Sequence, residues 1–99
     1  MIVILGTLRF PPSNMARVRP HLQRLVMETR AHDGCVSYDV AEDLFDPGLI
    51  RYSEEWPDQA ALDRHLTAPQ IGVWRDAIAG LGVADRKFTV YAADEGRIL

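Results

Sequence analysis

The segment CVSYDVAEDLFDPGLIRYSEEW, residues 35–56, decides the fold of this chain. Side chains alternate in character over residues 35–43 and again over residues 50–56, which is typical of β-strands. Asp46-Pro47-Gly48 lies between them and favours a turn, because proline presets its backbone angle and glycine accepts positive φ. The segment therefore predicts a β-hairpin whose second strand presents four side chains to one side: Ile50, Tyr52, Glu54 and Trp56.

A strand and a helix are predicted before this hairpin. Residues 2–10 are apolar on both faces, which indicates a central strand that is covered on both sides. Ser13 or Asn14 is expected to cap the helix that follows. Pro20 is expected to kink that helix or loosen its first turn, and Gly34 to end it in a left-handed conformation. The apolar stripe of the helix recurs at steps of three and four residues: Met15, Val18, Leu22, Leu25, Val26 and Thr29.

A helical region and a last strand are predicted after the hairpin. Asp58 is the expected cap of a first helix, which carries two leucines on its buried face. The stretch Thr67-Ala68-Pro69-Gln70 has the pattern of a capping box with proline at the first helical position, so a second helix is expected to start there. Residues 86–93 alternate again and predict the final strand.

The order strand, helix, strand, strand, helical region, strand predicts an α+β fold. Two right-handed strand-helix-strand units form a ferredoxin-like βαββαβ subunit, which is a four-stranded antiparallel sheet with its helices on one face. We expect residues 1–99 to form a single domain. Because the first strand is apolar on both faces, the uncovered face of the sheet is expected to be a sizeable apolar patch. We therefore predict a homodimer that forms through the sheet face.

Composition excludes several classes of protein. The 99 residues include 11 basic and 14 acidic side chains, for a formal charge of −3, so no nucleic acid or anionic membrane partner is expected. The single cysteine cannot form an internal disulfide, and no apolar run approaches a membrane span. The opening residues lack the basic flank of a signal peptide, so the predicted location is cytoplasmic.

Short motifs along the chain resemble one known family. They are the Asp33-Gly34-Cys35 entry to a strand that contains Tyr38, the Asp46-Pro47 turn, the Glu54-x-Trp56 strand end, and His65 nine residues after that tryptophan. Together, and in an element order that spans nearly the whole chain, they are similar to the pattern of the antibiotic biosynthesis monooxygenase (ABM) family. That family is known for dimeric α+β barrels built from ferredoxin-like subunits, so the resemblance implies this assembly.

The resemblance also implies an activity. By its resemblance to the family, the chain is expected to oxygenate phenolic, quinol or polycyclic aromatic substrates with dioxygen, without flavin, haem or metal. Ground-state dioxygen is a triplet and reacts poorly with closed-shell molecules, so the substrate must first become an electron-rich anion. A protein can supply a base, donors that hold the anion, and a dry pocket. The expected partners are therefore a small aromatic substrate and dioxygen, and no cofactor is expected.

Two side chains are the catalytic candidates. His65 is the candidate base, because an unperturbed imidazole titrates at about pH 6.5 and the residue lies at the border of an apolar stripe. The alternative is a structural histidine that bonds a carbonyl group. Glu54 is a carboxylate on an inward face, where it needs a partner such as His65 or an arginine. The alternative for Glu54 is an ion pair at the end of the strand.

Four aromatic side chains are the candidates for binding the substrate. Trp56 and Trp74 offer flat walls, and the indole N–H of Trp56 is also a donor. Tyr38 and Tyr52 could donate their hydroxyls to a substrate anion. Ordinary core packing is the alternative for each of the four.

Other functions stay open at this point. Haem degradation is performed by related dimeric barrels with an Asn on the first strand, where this chain has Gly6 and Thr7, so it is not favoured. A proton-transfer isomerase on the same scaffold would use His65 without oxygen, and a non-catalytic ligand-binding or stress-response dimer would use it only structurally. The chain lacks a GxGxxG motif and a P-loop, and its three histidines have no metal-ligand spacing, so no metal site is expected.

Overall fold

Four antiparallel strands form one sheet, with β1 and β3 at its centre. The computed structural model describes residues 1–99, and the strand order across the sheet is β2-β3-β1-β4. The ferredoxin-like α+β fold predicted from the sequence is confirmed. The strands are β1 (Ile2–Arg9), β2 (Ser37–Glu42), β3 (Leu49–Trp56) and β4 (Ala84–Ala92), and the helices are α1 (Met15–His32), α2 (Gln59–Leu66) and α3 (Pro69–Ile78).

The strand register decides which side chains face the helices. Ile4 on β1 lies opposite Glu54 on β3 and opposite Val90 on β4. Tyr38 on β2 lies opposite the same Glu54. Because side chains at paired positions project from the same face of a sheet, these residues all point toward the helices. We call this the inner face.

Helix α1 begins differently from the expectation. A single 3₁₀ turn, Pro12–Asn14, precedes it, and neither Ser13 nor Asn14 caps the helix through its side chain, so the predicted cap is wrong. The amide of Asn14 instead donates to the carbonyl oxygen of Leu81, 3.0 Å away, and ties α1 to the segment before β4. Helix α1 continues through Pro20, and Gly34 follows its end with φ at +72°, as predicted.

The second helical region is divided at Thr67. Asp58 caps α2 as predicted, since its Oδ1 accepts a 2.8 Å hydrogen bond from the backbone N–H of Ala61. The predicted capping box at the start of α3 is wrong, because the hydroxyl of Thr67 donates to the carbonyl of Arg64 and no side chain caps α3. The side chain of Gln70 is thereby free to reach α1. None of the three helices combines the length and apolar character that a bilayer crossing requires.

The hydrophobic core fills the layer between the inner face and the helices. Its most deeply buried side chains include Trp56 and Ile50 from β3, Leu62 from α2 and Val18 from α1. Burial of a large apolar side chain contributes about 1.5–3 kcal/mol, so this layer is what holds the helices on the sheet. The same layer opens into a cavity toward β4.

The outer face of the sheet is less apolar than predicted. Leu5 is half exposed there, but it lies between Ser53 on β3 and Thr89 on β4. The predicted apolar patch shrinks to a narrow stripe of Val3, Leu5 and Tyr91, since polar side chains occupy most neighbouring positions: Thr7, Asp39, Arg51, Ser53, Lys87 and Thr89.

Candidate active site

A hydrogen bond between His65 on α2 and Asp33 at the end of α1 is the centre of the site. The Nδ1 atom of His65 lies 2.7 Å from Oδ2 of Asp33. Both side chains are almost completely withdrawn from solvent, with 4% and 8% of their surface exposed. A buried pair of this kind is strengthened by its low-dielectric surroundings, which hold both groups in one geometry.

Gln70 supports the carboxylate from the first turn of α3. Its Nε2 donates to Oδ2 of Asp33 over 2.6 Å and to the hydroxyl of Thr29 over 3.3 Å. Thr29 is completely buried on α1, so the amide is held between two fixed partners. Oδ2 of Asp33 accepts hydrogen bonds from two directions, which fixes the carboxylate in place.

The hydrogen bond to Asp33 determines which nitrogen of His65 is free. A carboxylate only accepts hydrogen bonds, so Nδ1 is the nitrogen that carries the proton. Nε2 makes no hydrogen bond within the protein. Every side-chain nitrogen or oxygen that is fully shielded from solvent has a hydrogen-bond partner, so Nε2 is not one of the shielded atoms. Nε2 is therefore accessible, with its lone pair available to accept a proton.

A largely apolar cavity of about 540 Å³ lies in front of His65. Its floor is the inner face of the sheet and its roof is α2 and α3. It is large enough for an aromatic molecule of several rings. Its polar members are Tyr38, Tyr52, Glu54, His65, Arg75 and Arg86, and its apolar walls include Ile4, Leu8, Leu62, Ile71, Trp74, Ile78, Phe88 and Val90.

A second, smaller groove lies on the other side of Asp33. It occupies about 310 Å³ between α1 and α3 and is lined mainly by polar residues, including His21, Arg24 and Glu28. Asp33 and Gln70 border this groove, whereas His65 borders only the larger cavity. The candidate base, His65, therefore faces the larger cavity and not the groove.

Glu54 has a different partner from the one predicted. The indole Nε1 of Trp56 donates to its Oε1 over 3.0 Å, and no hydrogen bond or ion pair joins Glu54 to His65 or to an arginine. Burial raises the pKa of Glu54 above its usual range, while the Trp56 hydrogen bond and the nearby His65 act in the opposite direction. Glu54 lines the cavity, and its second oxygen makes no hydrogen bond within the protein.

Trp56 is a support for the site and not a wall of the cavity. It is completely buried and is not among the residues that line the cavity, which favours the alternative of core packing. The ring centroids of Trp56 and His65 are 4.6 Å apart, at an interplanar angle of 33°. The indole N–H of Trp56 already donates a hydrogen bond to Glu54. Trp56 therefore positions both catalytic candidates from behind.

Tyr38 and Tyr52 line the cavity, and their binding of a substrate stays a prediction. Tyr38 lies edge-on to His65, with ring centroids 5.4 Å apart. Burial raises the pKa of both tyrosines well above the usual value, so both hydroxyls keep their protons. Neither hydroxyl is hydrogen-bonded within the protein, which leaves both able to donate to an anion in the cavity.

Trp74 also lines the cavity, and its contact with a substrate stays a prediction. It projects from α3 and packs edge-to-face on Phe10, with ring centroids 6.3 Å apart.

The structure brings together no group of three or more His, Cys, Asp or Glu side chains that could hold a metal ion.

Comparison with known proteins identifies the family. A family model described as antibiotic biosynthesis monooxygenase matches residues 1–77. The chain belongs to this family. The resemblance inferred from the short motifs is therefore confirmed.

Several known proteins are similar to this chain. The candidate monooxygenase Rv0793 of Mycobacterium tuberculosis is 35% identical over 86 residues, which cover 85% of this chain and 84% of the relative. A candidate family member from Deinococcus radiodurans is 35% identical, with a TM-score of 0.91 over 100% of this chain and 98% of its own. PA3566 from Pseudomonas aeruginosa is 26% identical, with a TM-score of 0.82 over 93% and 92% of the two chains.

Asp33 and Gln70 join the candidate site through their hydrogen bonds, although the sequence patterns do not single them out as site residues. In the sequence, Asp33 belongs to a family motif and Gln70 to a capping-box pattern. One signal pointed to Asp33: it is a carboxylate at the C-terminal end of a helix, where the helix dipole disfavours negative charge. A carboxylate in that position indicates a hydrogen-bond or ion-pair partner in another element of the fold.

Proposed function

We propose that this protein is a cofactor-independent monooxygenase that acts on a phenolic, quinol or polycyclic aromatic substrate with dioxygen. The observation that carries the proposal is the 2.7 Å pair of His65 Nδ1 and Asp33 Oδ2, which leaves Nε2 free in an apolar cavity. Membership of the antibiotic biosynthesis monooxygenase family supports the reaction class.

His65 acts as the general base. Nε2 accepts the acidic proton of the bound substrate, and the imidazolium that results is stabilised by Asp33 through Nδ1–H. The proton has to leave a substrate hydroxyl or activated C–H, and the apolar walls keep competing water away from the anion. The tyrosine hydroxyls of Tyr38 and Tyr52 donate hydrogen bonds to the developing negative charge.

The oxygenation step draws its electrons from the substrate anion. The anion transfers one electron to dioxygen, and the substrate radical and superoxide then combine into a carbon–oxygen bond. The proton held on Nε2 returns to the resulting peroxide, whose O–O bond breaks. One oxygen atom stays on the substrate as a carbonyl, and the other leaves as water with two substrate hydrogens. Overall, SH₂ and O₂ give SO and H₂O.

We propose that the protein is a homodimer that forms through the outer face of the sheet. The stripe of Val3, Leu5 and Tyr91 supports this, because Leu5 on the central strand β1 and Tyr91 on the neighbouring edge strand β4 each expose about half of their surface (51% and 50%). The sheets of two subunits would then cover each other, and the cavities would stay between each sheet and its own helices.

Oxygen uptake tests the proposed activity. The protein is incubated with a panel of hydroquinones and anthrones, and the rate of oxygen consumption is compared with that of His65→Gln. His21→Gln is the matched control, because His21 is exposed on α1. With ¹⁸O₂, one labelled oxygen per turnover is expected in the product. Equal uptake by the wild type and His65→Gln across the panel refutes the proposal and favours a non-catalytic ligand-binding dimer.

A further inference from the structure

Two arginines without acidic partners line the cavity. Arg75 projects from α3 and Arg86 from β4. Neither guanidinium lies within 4.0 Å of a carboxylate, whereas four other arginines of the chain form ion pairs: Arg9, Arg19, Arg30 and Arg51. The larger cavity thus has two unpaired positive charges in walls that are otherwise mostly apolar.

A row of aromatic rings leads from Arg86 to His65. The guanidinium carbon of Arg86 lies 4.6 Å from the centroid of the Phe88 ring. Phe88 packs on Tyr52 with centroids 5.0 Å apart, and Tyr52 in turn lies 6.4 Å from Tyr38. Tyr38 contacts His65, so the base and the guanidinium are at opposite ends of the row.

We propose that the substrate of this site is a hydroxylated aromatic that carries an anionic group, such as a carboxylate, on the side of its ring system away from the ionising hydroxyl. The inference rests on the proposed function and specifies its substrate class. The hydroxyl lies at His65, the rings lie along Phe88, Tyr52 and Tyr38, and the anionic group is bound by Arg86 and Arg75.

The chemistry of the two ends supports this orientation. Arginine matches a carboxylate with two parallel N–H donors, and such charge-assisted hydrogen bonds are about twice as strong as neutral ones. Glu54 and Asp33 both lie at the His65 end, where a substrate carboxylate would meet negative charge. The anionic group is therefore repelled from the base and drawn to the arginines.

Ligand binding without turnover tests the inference. Quenching of tryptophan fluorescence is titrated under anaerobic conditions with three probes: 6-hydroxy-2-naphthoate, with the carboxylate across the rings from the hydroxyl; 3-hydroxy-2-naphthoate, with the two groups adjacent; and 2-naphthol, without a carboxylate. The wild type is expected to bind the first probe about tenfold to hundredfold more tightly than the other two. The Arg75→Gln/Arg86→Gln variant is expected to lose that preference while it binds 2-naphthol as the wild type does.

A charge-matched variant separates recognition from net charge. Arg17→Gln/Arg64→Gln removes two exposed arginines that do not line the cavity, so it should keep the preference. Equal binding of the three probes by the wild type overturns the inference, as does a preference that survives in Arg75→Gln/Arg86→Gln. A preference that depends on the two arginines, in a protein that consumes no oxygen, refutes the proposed function alone.

Discussion

Asp33 and His65 are in hydrogen-bonding contact although they are 32 positions apart in the chain. Asp33 caps the C-terminal end of α1, where the helix dipole makes a carboxylate unfavourable. The hydrogen bonds from His65 and Gln70 offset that cost. The arrangement places a negative charge behind the imidazole and leaves the opposite nitrogen facing the cavity.

Replacing Asp33 by asparagine should abolish most of the activity while the chain still folds. An amide can donate to Nδ1, which would move the proton to Nε2 and remove the base. We expect kcat to fall about 10²- to 10⁴-fold, the usual contribution of a general base. Oxygen uptake under saturating substrate measures the effect, and circular dichroism checks the fold. Gln70→Ala should lower kcat less, because Asp33 keeps its hydrogen bond to His65.

A kcat of Asp33→Asn within twofold of the wild type would show that the carboxylate does not set the proton position. Asp39→Asn is the control, because Asp39 is exposed and pairs with Arg30 on the surface. It is expected to leave kcat unchanged.

Replacing Glu54 by glutamine should stabilise the protein at neutral pH. Burial raises the pKa of Glu54 in the folded state above its ordinary value of 4.5, so the folded protein holds this proton more tightly than the unfolded chain. The contribution of Glu54 to stability is therefore full below pH 4.5 and is lost as the pH rises through the folded-state pKa. Glu54→Gln removes this loss, and the free energy of unfolding at pH 7 should rise by about 1–3 kcal/mol.

Urea unfolding at several pH values measures this difference. The gain of Glu54→Gln over the wild type should be present at pH 7 and vanish toward pH 4. Glu55→Gln is the control, since the neighbouring side chain is on the outer face and only partly buried. A gain that is the same at both pH values, or no gain at all, contradicts the assignment of a destabilising buried carboxylate.

The sequence was sufficient for the fold and for part of the site. Alternation in the hairpin and helical spacing in α1 are local patterns, so they were enough to predict these elements. Alternation along β3 also predicted that the side chain of Glu54 points inward. The Asp33–His65 pair could not be predicted, because it depends on how the end of α1 packs against α2. The position of Trp56 beneath the cavity could not be predicted for a related reason: periodicity shows that a side chain points inward, but not whether it lines a cavity or lies beneath it.

Gly6 should be required for the floor of the cavity. The ring of Phe88 lies directly over Gly6, and a Cβ at that position would overlap it. Gly6→Ala is expected to displace Phe88 and lower the free energy of unfolding by about 1–3 kcal/mol, the usual cost of overpacking. Urea unfolding measures the loss.

Gly72→Ala is the matched control for this substitution. Gly72 lies within α3, and a Cβ there would meet nothing within 4 Å. Because alanine favours helix over glycine, this variant should gain up to about 1 kcal/mol. Losses of equal size at the two positions would mean that the contact with Phe88 does not account for the effect.

A charge on the outer face should prevent dimer formation. Leu5→Lys places an ammonium group in the apolar stripe, where burial against a second copy would be costly. Sedimentation velocity at micromolar concentration is expected to show a dimer for the wild type and a monomer for this variant. Leu44→Lys, on the exposed hairpin loop, should stay dimeric. A monomeric wild type would refute the proposed assembly.

The protonation of His65 is the most direct test of a base held by Asp33. Long-range ¹H–¹⁵N correlation spectra of the free protein at pH 8, with His65 assigned by comparison with His65→Gln, distinguish the two ring nitrogens. We expect a proton on Nδ1 and none on Nε2, with the reverse pattern in Asp33→Asn. A wild-type spectrum in which Nε2 carries the proton would contradict it, because the nitrogen that faces the cavity could then accept nothing from a substrate.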